Sequence, residues 1–246
     1  MATVLLVRHG RTAANTGAVL AGRTPGTRLD DEGRRQVESI GRRIAALPLQ
    51  RIISSPLERC RETAAAIAAQ QPTTPRVRSD KRLNECDYGA WTGELLKALS
   101  KQPLWKVVQA HPSGVRFPEG ESMPAMQARA VAAVREIDAE VEAEAGPDGL
   151  WVAVSHGDVI KSVLAEALGM HFDLFQRVVV DPASVSVIRF TPLRPFVVHL
   201  NDSGSDLGPL RPPKRRRRRV SSDAPVGGGA GDGGTRSTGR RSQTTS

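Results

Sequence analysis

Two His-Gly pairs, His9-Gly10 and His156-Gly157, and two arginines, Arg8 and Arg59, are the residues of this chain best suited to chemistry. A neutral imidazole is a nitrogen nucleophile able to attack phosphorus. A guanidinium is a planar fork that matches phosphate oxygens. A second imidazole beside a phosphate is held in its charged form by the anion. Glycine after each histidine lets the backbone turn tightly and a ligand come close. Neither histidine has an acid or a third histidine at metal-ligand spacing. The pattern therefore points to positioning and fixed positive charge, with no metal and no cofactor expected. A leaving alkoxide needs a proton, and Glu85, within Leu83-Asn84-Glu85-Cys86-Asp87-Tyr88-Gly89, is the expected general acid. Asp87 is its rival.

These residues lie far apart in sequence, so secondary structure must bring them together. Thr3 to Val7 is a short β-branched run and reads as a buried strand that ends at Arg8-His9-Gly10. Asp30 is the expected N-cap of a helix reaching about Ala46, with Val37, Ile40 and Ile44 at helical spacing and Pro48 beyond its end. A second strand covers Arg51 to Ser54. Ser55-Pro56-Leu57-Glu58 reads as a helix start, with Ser55 as cap, Pro56 in the first turn and Glu58 closing a capping box. Arg59 then falls in the first turn. Arg76 to Ser79 is a third short strand. Short helices broken by Pro103 are expected over 94–110, and a long helix over 123–145. The strand Leu150 to Val154 leads into His156-Gly157 and a helix from Asp158 to Leu168, with Gly169 just past its end. Ser184 to Phe190 alternates as an antiparallel strand, and Phe196 to Leu200 pairs with it. Arg8-His9, Arg59 and His156 thus all follow strands. In open α/β sheets ligands bind beyond the carboxyl ends of the strands. The fold class that follows is α/β with a mixed sheet.

The same residues resemble a known family. Leu6-Val7-Arg8-His9-Gly10-Arg11-Thr12 with Asn15, Ser54 to Ala64, the group Leu83, Glu85, Gly89, Trp91 and Gly93, Gly120-Glu121-Ser122, and Val154-Ser155-His156-Gly157 together resemble the histidine phosphatase superfamily, the phosphoglycerate mutase-like family, across roughly residues 3–200. The resemblance implies a three-layer sandwich around a mostly parallel mixed central sheet. It implies that His9 is the nucleophile and becomes phosphohistidine. Arg8, Asn15, Arg59 and His156 would bind the phosphate, and Glu85 would be the proton donor. Arg11, Thr12, Gly22 and Arg23 are the expected substrate rim, although Arg11 and Arg23 read equally well as solvated loop charges. Arg11 stands where the family usually has Glu or Gln, and Thr92 where it usually has Glu. Both departures bear on the substrate and not on the reaction. The expected activity is metal-independent hydrolysis of a small phosphomonoester. The alternatives are phosphoglycerate mutase-type transfer, favoured less by the short 93–120 segment, and a non-catalytic phosphate-binding module.

Composition bounds the rest. The chain of 246 residues has a formal charge of +9, and residues 201–246 carry +6 of it, including Lys214 and the run Arg215 to Arg219. That segment has no aromatic residue and is rich in Gly and Ser. It cannot bury enough apolar surface to offset its ordering entropy. The expected organisation is therefore a domain over 1–202 and a disordered basic tail over 203–246. A solvated tail is the plain reading of the arginine run. The sharper one is an arm for a polyanion, weakened by the lack of residues that stack on bases. No apolar run is long enough to span a membrane. No basic segment leads into an apolar one at the start, and Cys60 and Cys86 are the two cysteines, so a reduced cytoplasmic setting is expected.

Overall fold

The computed structural model describes residues 2–73, 75–204, 226, 227 and 229. Its strands are β1 (Thr3–Arg8), β2 (Leu49–Ser54), β3 (Arg76–Ser79), β4 (Leu150–Ser155), β5 (Val185–Arg189) and β6 (Phe196–Asp202). They form one sheet in the order β3-β2-β4-β1-β5-β6. The pairs β1–β4, β2–β4 and β2–β3 are parallel. The strand β5 is antiparallel to both its neighbours, β1 and β6. This is the mixed sheet expected from the sequence.

Side chains alternate across a strand, and the central strand β1 is buried on both faces. Leu5 and Val7 pack with Val37, Ile40 and Ile44 of α2 (Asp31–Ile44) and with Cys60, Ala64 and Ile67 of α3 (Glu58–Ala68). Val4 and Leu6 face the other way, toward Met126, Ala130 and Val134 of α6 (Met123–Ala145) and Ile160, Val163 and Leu164 of α7 (Gly157–Ala167). Two helical layers thus enclose the sheet, and both layers hold the strand that ends at His9. Between these layers in sequence run α4 (Leu96–Leu99) and α5 (Pro103–Ala110), where Pro103 starts the second helix instead of ending a longer one.

The sequence pattern missed one local element and misplaced one helix cap. The loop after β1 contains a single helical turn, α1 (Ala13–Thr16), closed by reciprocal Thr12–Asn15 capping. A four-residue turn shows no apolar periodicity, so no pattern announced it. The helix α3 begins at Glu58, and Leu57 is its N-cap with no side-chain cap bond. Ser55 lies two residues before that cap, and its hydroxyl accepts from Leu57 N–H at 3.4 Å while also serving the site described below. Asp30 does cap α2, its carboxylate accepting from Gly33 N–H at 2.7 Å. Val226, within the stretch expected to be a disordered tail, is 2% exposed and belongs to the core cluster that holds Leu20 and Tyr88. The rest of the tail expectation, and the arginine run itself, lie outside the described residues.

The start of α2 also fixes the turn after His9. A Cβ on Gly33 would lie 2.1 Å from the Arg11 carbonyl oxygen. A Cβ on Gly10 would lie 2.6 Å from the Gly33 carbonyl oxygen. The two backbones are in direct contact, so G33A must push them apart. It is expected to cost about 2–4 kcal/mol in denaturant unfolding. It is also expected to lower activity, because the displaced Arg11 backbone lies two residues from His9.

Candidate active site

Three neighbouring strands deliver the chemistry to one edge of the sheet. His9 follows β1, His156 follows β4 and Ser55 follows β2. His9 N–H donates to the Ser155 carbonyl at 3.0 Å, and Ser55 N–H to the Val154 carbonyl at 2.9 Å. Register therefore holds the three side chains level with one another. The two imidazole rings meet edge to face, 5.3 Å between centroids.

The hydrogen bonds determine which nitrogen of His9 is available. Nδ1 lies 2.8 Å from the Gly10 carbonyl, which can only accept, so Nδ1 carries the proton. Nε2 then carries the lone pair, and Arg59 Nε–H donates to it at 3.2 Å. Burial first, then the charges of Arg59 and Arg8, push the His9 pKa well below its ordinary value. The ring is neutral and presents a nucleophilic nitrogen.

Arg59 joins the two histidines. Its Nη2 donates to the Gly22 carbonyl at 2.7 Å and lies 3.1 Å from His156 Nδ1. Its Nη1 is buried and has no hydrogen-bond partner among the described residues. With Nδ1 accepting, His156 Nε2–H donates to Ser55 Oγ at 2.9 Å, and Ser55 Oγ–H donates to Asn84 Oδ1 at 2.9 Å. Burial, Arg59 and His9 lower the His156 pKa well below its ordinary value. The expectation of a charged His156 thus applies only once an anion is present to reverse that balance. The role of Ser55 was masked in the sequence by its fit to a capping box. S55A removes the acceptor that orients His156. It is expected to lower kcat/KM by roughly tenfold to a hundredfold, with a smaller change in thermal stability.

Glu85 is 3% exposed, and Cys86 N–H donates to its Oε1 at 3.0 Å. Burial, reinforced by Asp158, raises its carboxyl pKa to about 7, while Arg59 and Arg8 oppose that rise. At neutral pH a large share of Glu85 therefore carries a proton. Its backbone is clamped by two arginines, since its carbonyl accepts from Arg23 Nε at 2.9 Å and from Arg129 Nη2 at 3.1 Å. Asp87 does not share this environment. Its side chain is 41% exposed and pairs with Arg23 at 3.1 Å.

The pocket is walled by His9, Arg59 and Glu85 on its polar side, with Thr12, Asn15 and Gly22 beside them. Arg8 and His156 are fully enclosed. His156 reaches the cluster through Arg59, and Arg8 Nη1 donates to the Val180 carbonyl at 2.8 Å. Asn15 uses its carboxamide oxygen on Thr12, at 2.9 Å from the hydroxyl, so only its NH2 is left for an anion. Two of the four rim residues are not brought to the walls. Arg11 is tied to Asp30 at 2.8 Å, and Arg23 to Asp87 and Glu121. Each neutralises a neighbouring carboxylate, which is why neither reaches the opening. Cys60 lies against His156, 3.4 Å from Nε2, and burial pushes its thiol up to about 12, so it is unreactive. Among the described residues, no three His, Cys, Asp or Glu side chains group as a metal site, and no helix is long and apolar enough to cross a membrane.

Known proteins share this arrangement of elements. The chain is 34% identical over 173 residues to the probable phosphoglycerate mutase GpmB of Klebsiella pneumoniae subsp. pneumoniae, covering 69% of this chain and 76% of that one. The structure of Bacillus stearothermophilus YhfR superposes with a TM-score of 0.74 at 25% identity, over 82% of this chain and 98% of that one. A mycobacterial glucosyl-3-phosphoglycerate phosphatase, solved with VO3, superposes with a TM-score of 0.72 at 25% identity, over 81% of this chain and 98% of that one. The profile of the histidine phosphatase superfamily (branch 1) matches residues 4–203, and the chain, an enzyme with an α/β sandwich, belongs to that superfamily.

Proposed function

We propose that the protein hydrolyses a small phosphomonoester through a phosphohistidine on His9. The observation that carries this reading is Arg59, which meets His9 Nε2 and His156 Nδ1 and keeps a buried Nη1 without a partner among the described residues. An arriving phosphate takes over the Arg59 N–H groups, and the His9 lone pair then faces phosphorus. Arg59, Arg8, a His156 that gains a proton and the Asn15 NH2 stabilise the charge on the equatorial oxygens. His9 Nε2 forms the N–P bond as the P–O bond to the alcohol breaks. Glu85 gives its proton to the leaving oxygen. Water then attacks phosphorus and loses its proton to Glu85. The N–P bond breaks, and phosphate leaves.

A 32P-labelled phosphomonoester, quenched during turnover, tests this. Acid-labile, base-stable label on the His9 peptide is the expected result, and its absence during active turnover overturns the reading. The second reading, phosphoglycerate mutase-type transfer, draws on the Klebsiella relative. It wins if 3-phosphoglycerate with its bisphosphate primer yields 2-phosphoglycerate at a rate rivalling hydrolysis. In the hydrolase reading residues 1–202 are the catalytic domain, in a cytoplasmic setting.

A further inference from the structure

The pocket has a second half that the phosphoryl chemistry does not use. Asp158, at the start of α7, is fully buried. Its Oδ2 accepts from Tyr88 O–H at 2.8 Å and from Gly227 N–H at 2.9 Å. Its Oδ1 is buried with no partner among the described residues. A carboxylate in this setting requires donors, and one of its two comes from a distant part of the same chain.

That part of the chain is built into the pocket. Val226, Gly227 and Gly229 line it together with His9, Arg59 and Glu85. Gly227 has φ +76°, and a Cβ there would lie 3.0 Å from Leu20 Cδ1 and 3.6 Å from Tyr88 Oη. The cavity left between these walls is about 30 Å³, room for one water molecule and not for a phosphomonoester. Substrate entry therefore displaces Val226, Gly227 and Gly229 and uncovers Asp158, Tyr88 and Leu20.

We propose that Asp158, Tyr88 and Leu20 form the leaving-group subsite, and that it takes an alcohol whose apolar part carries a hydroxyl or ammonium donor. Residues Val226 and Gly227 occupy it from within the chain, with an apolar side chain against Leu20 and an N–H on Asp158. This inference rests on the phosphoryl-transfer reading and adds the substrate class to it. A substrate carboxylate at the same place would face Asp158, with Glu85 close by. A site built to receive a donor rejects a group that cannot donate, and more strongly one of like charge. The subsite thus selects against phosphoglycerates, and Asp158 is the residue that sets the selection.

The test compares butyl phosphate, 3-hydroxybutyl phosphate and 3-carboxypropyl phosphate on the full chain, with wild type, D158N and G227V. Wild type is expected to prefer the hydroxybutyl over the carboxypropyl ester at least tenfold in kcat/KM. D158N keeps an acceptor for Tyr88 but loses the charge, and is expected to narrow that ratio at least tenfold, with label still trapped on His9. G227V cannot keep φ +76° without strain and is expected to expel the segment. It lowers KM for all three esters severalfold and leaves their ratio unchanged. A wild-type preference for the carboxypropyl ester overturns the proposal, as does an unchanged ratio in D158N. An unchanged KM in G227V overturns the occupancy by Val226 and Gly227. Failure to label His9 with any ester overturns the phosphoryl-transfer reading instead. Should D158N fail to fold, the wild-type ratio and G227V still decide.

Discussion

Replacing His9 with alanine is expected to lower kcat for every phosphomonoester by about four orders of magnitude or more, with label on the protein abolished. The size of the effect follows from how completely the fold commits this side chain. Nδ1 is spent on the Gly10 carbonyl, so Nε2 is the one nitrogen with a lone pair. Burial and the two arginines keep that lone pair free of a proton. Arg59 donates to the same nitrogen, so the nucleophile and the phosphate-binding cation are in register before substrate arrives. Alanine removes the nucleophile and leaves the binding groups, so kcat falls much further than KM changes. Phosphate release and a thermal melt are the paired measurements. A variant that melts like wild type and still turns over within tenfold would show that another group attacks phosphorus.

The parts of this site legible in the sequence are those determined by local pattern. The run Thr3 to Val7, then His9-Gly10, is a buried strand with its turn, and the structure has β1 there with both faces covered. The same holds for β4 and His156-Gly157. Glu85 was found by chemical need, since an alkoxide requires an acid, and its buried position supplies the raised pKa.

What was not legible depends on partners far away in the chain. Arg23 looked like a rim charge, yet its guanidinium meets Asp87, 64 residues on, and Glu121, 98 residues on. No spacing rule reaches that far. Ser55 matched a capping box locally, and its hydroxyl does accept from Leu57 N–H at 3.4 Å, but its shorter bonds, both 2.9 Å, are to His156, 101 residues away, and Asn84, 29 residues on. Asp158 entered the sequence reading only as the start of a helix. Its meaning came from Tyr88 and from Gly227, which composition alone assigned to an unstructured tail. In each case the role of the residue came from a tertiary contact that local spacing does not encode.

Glu85→Gln is expected to separate leaving groups. On an alkyl phosphate, whose departing oxygen needs a proton, kcat/KM is expected to fall about 10²- to 10⁴-fold. On a nitrophenyl phosphate, whose phenolate leaves unaided, the fall in kcat/KM is expected to stay below about tenfold, because kcat/KM reports transfer to His9 and not the later attack of water. Asp87→Asn is expected to change neither by more than about threefold, since that carboxylate is bound to Arg23 and away from the pocket walls. The pH dependence has a definite sign. With its pKa raised to about 7, Glu85 is a competent acid below that pH, and kcat/KM for the alkyl ester falls as pH rises through it. That descending limb is lost in Glu85→Gln. Stability follows the same group. Between its ordinary value of 4.5 and about 7 the folded protein holds a proton that the unfolded chain has released, so unfolding becomes easier as pH rises through that window. The glutamine variant has no such group to titrate, and its melting temperature is expected to vary less over the same range. Equal losses in kcat/KM on both esters would mean that Glu85 supports the pocket without giving a proton to the leaving group.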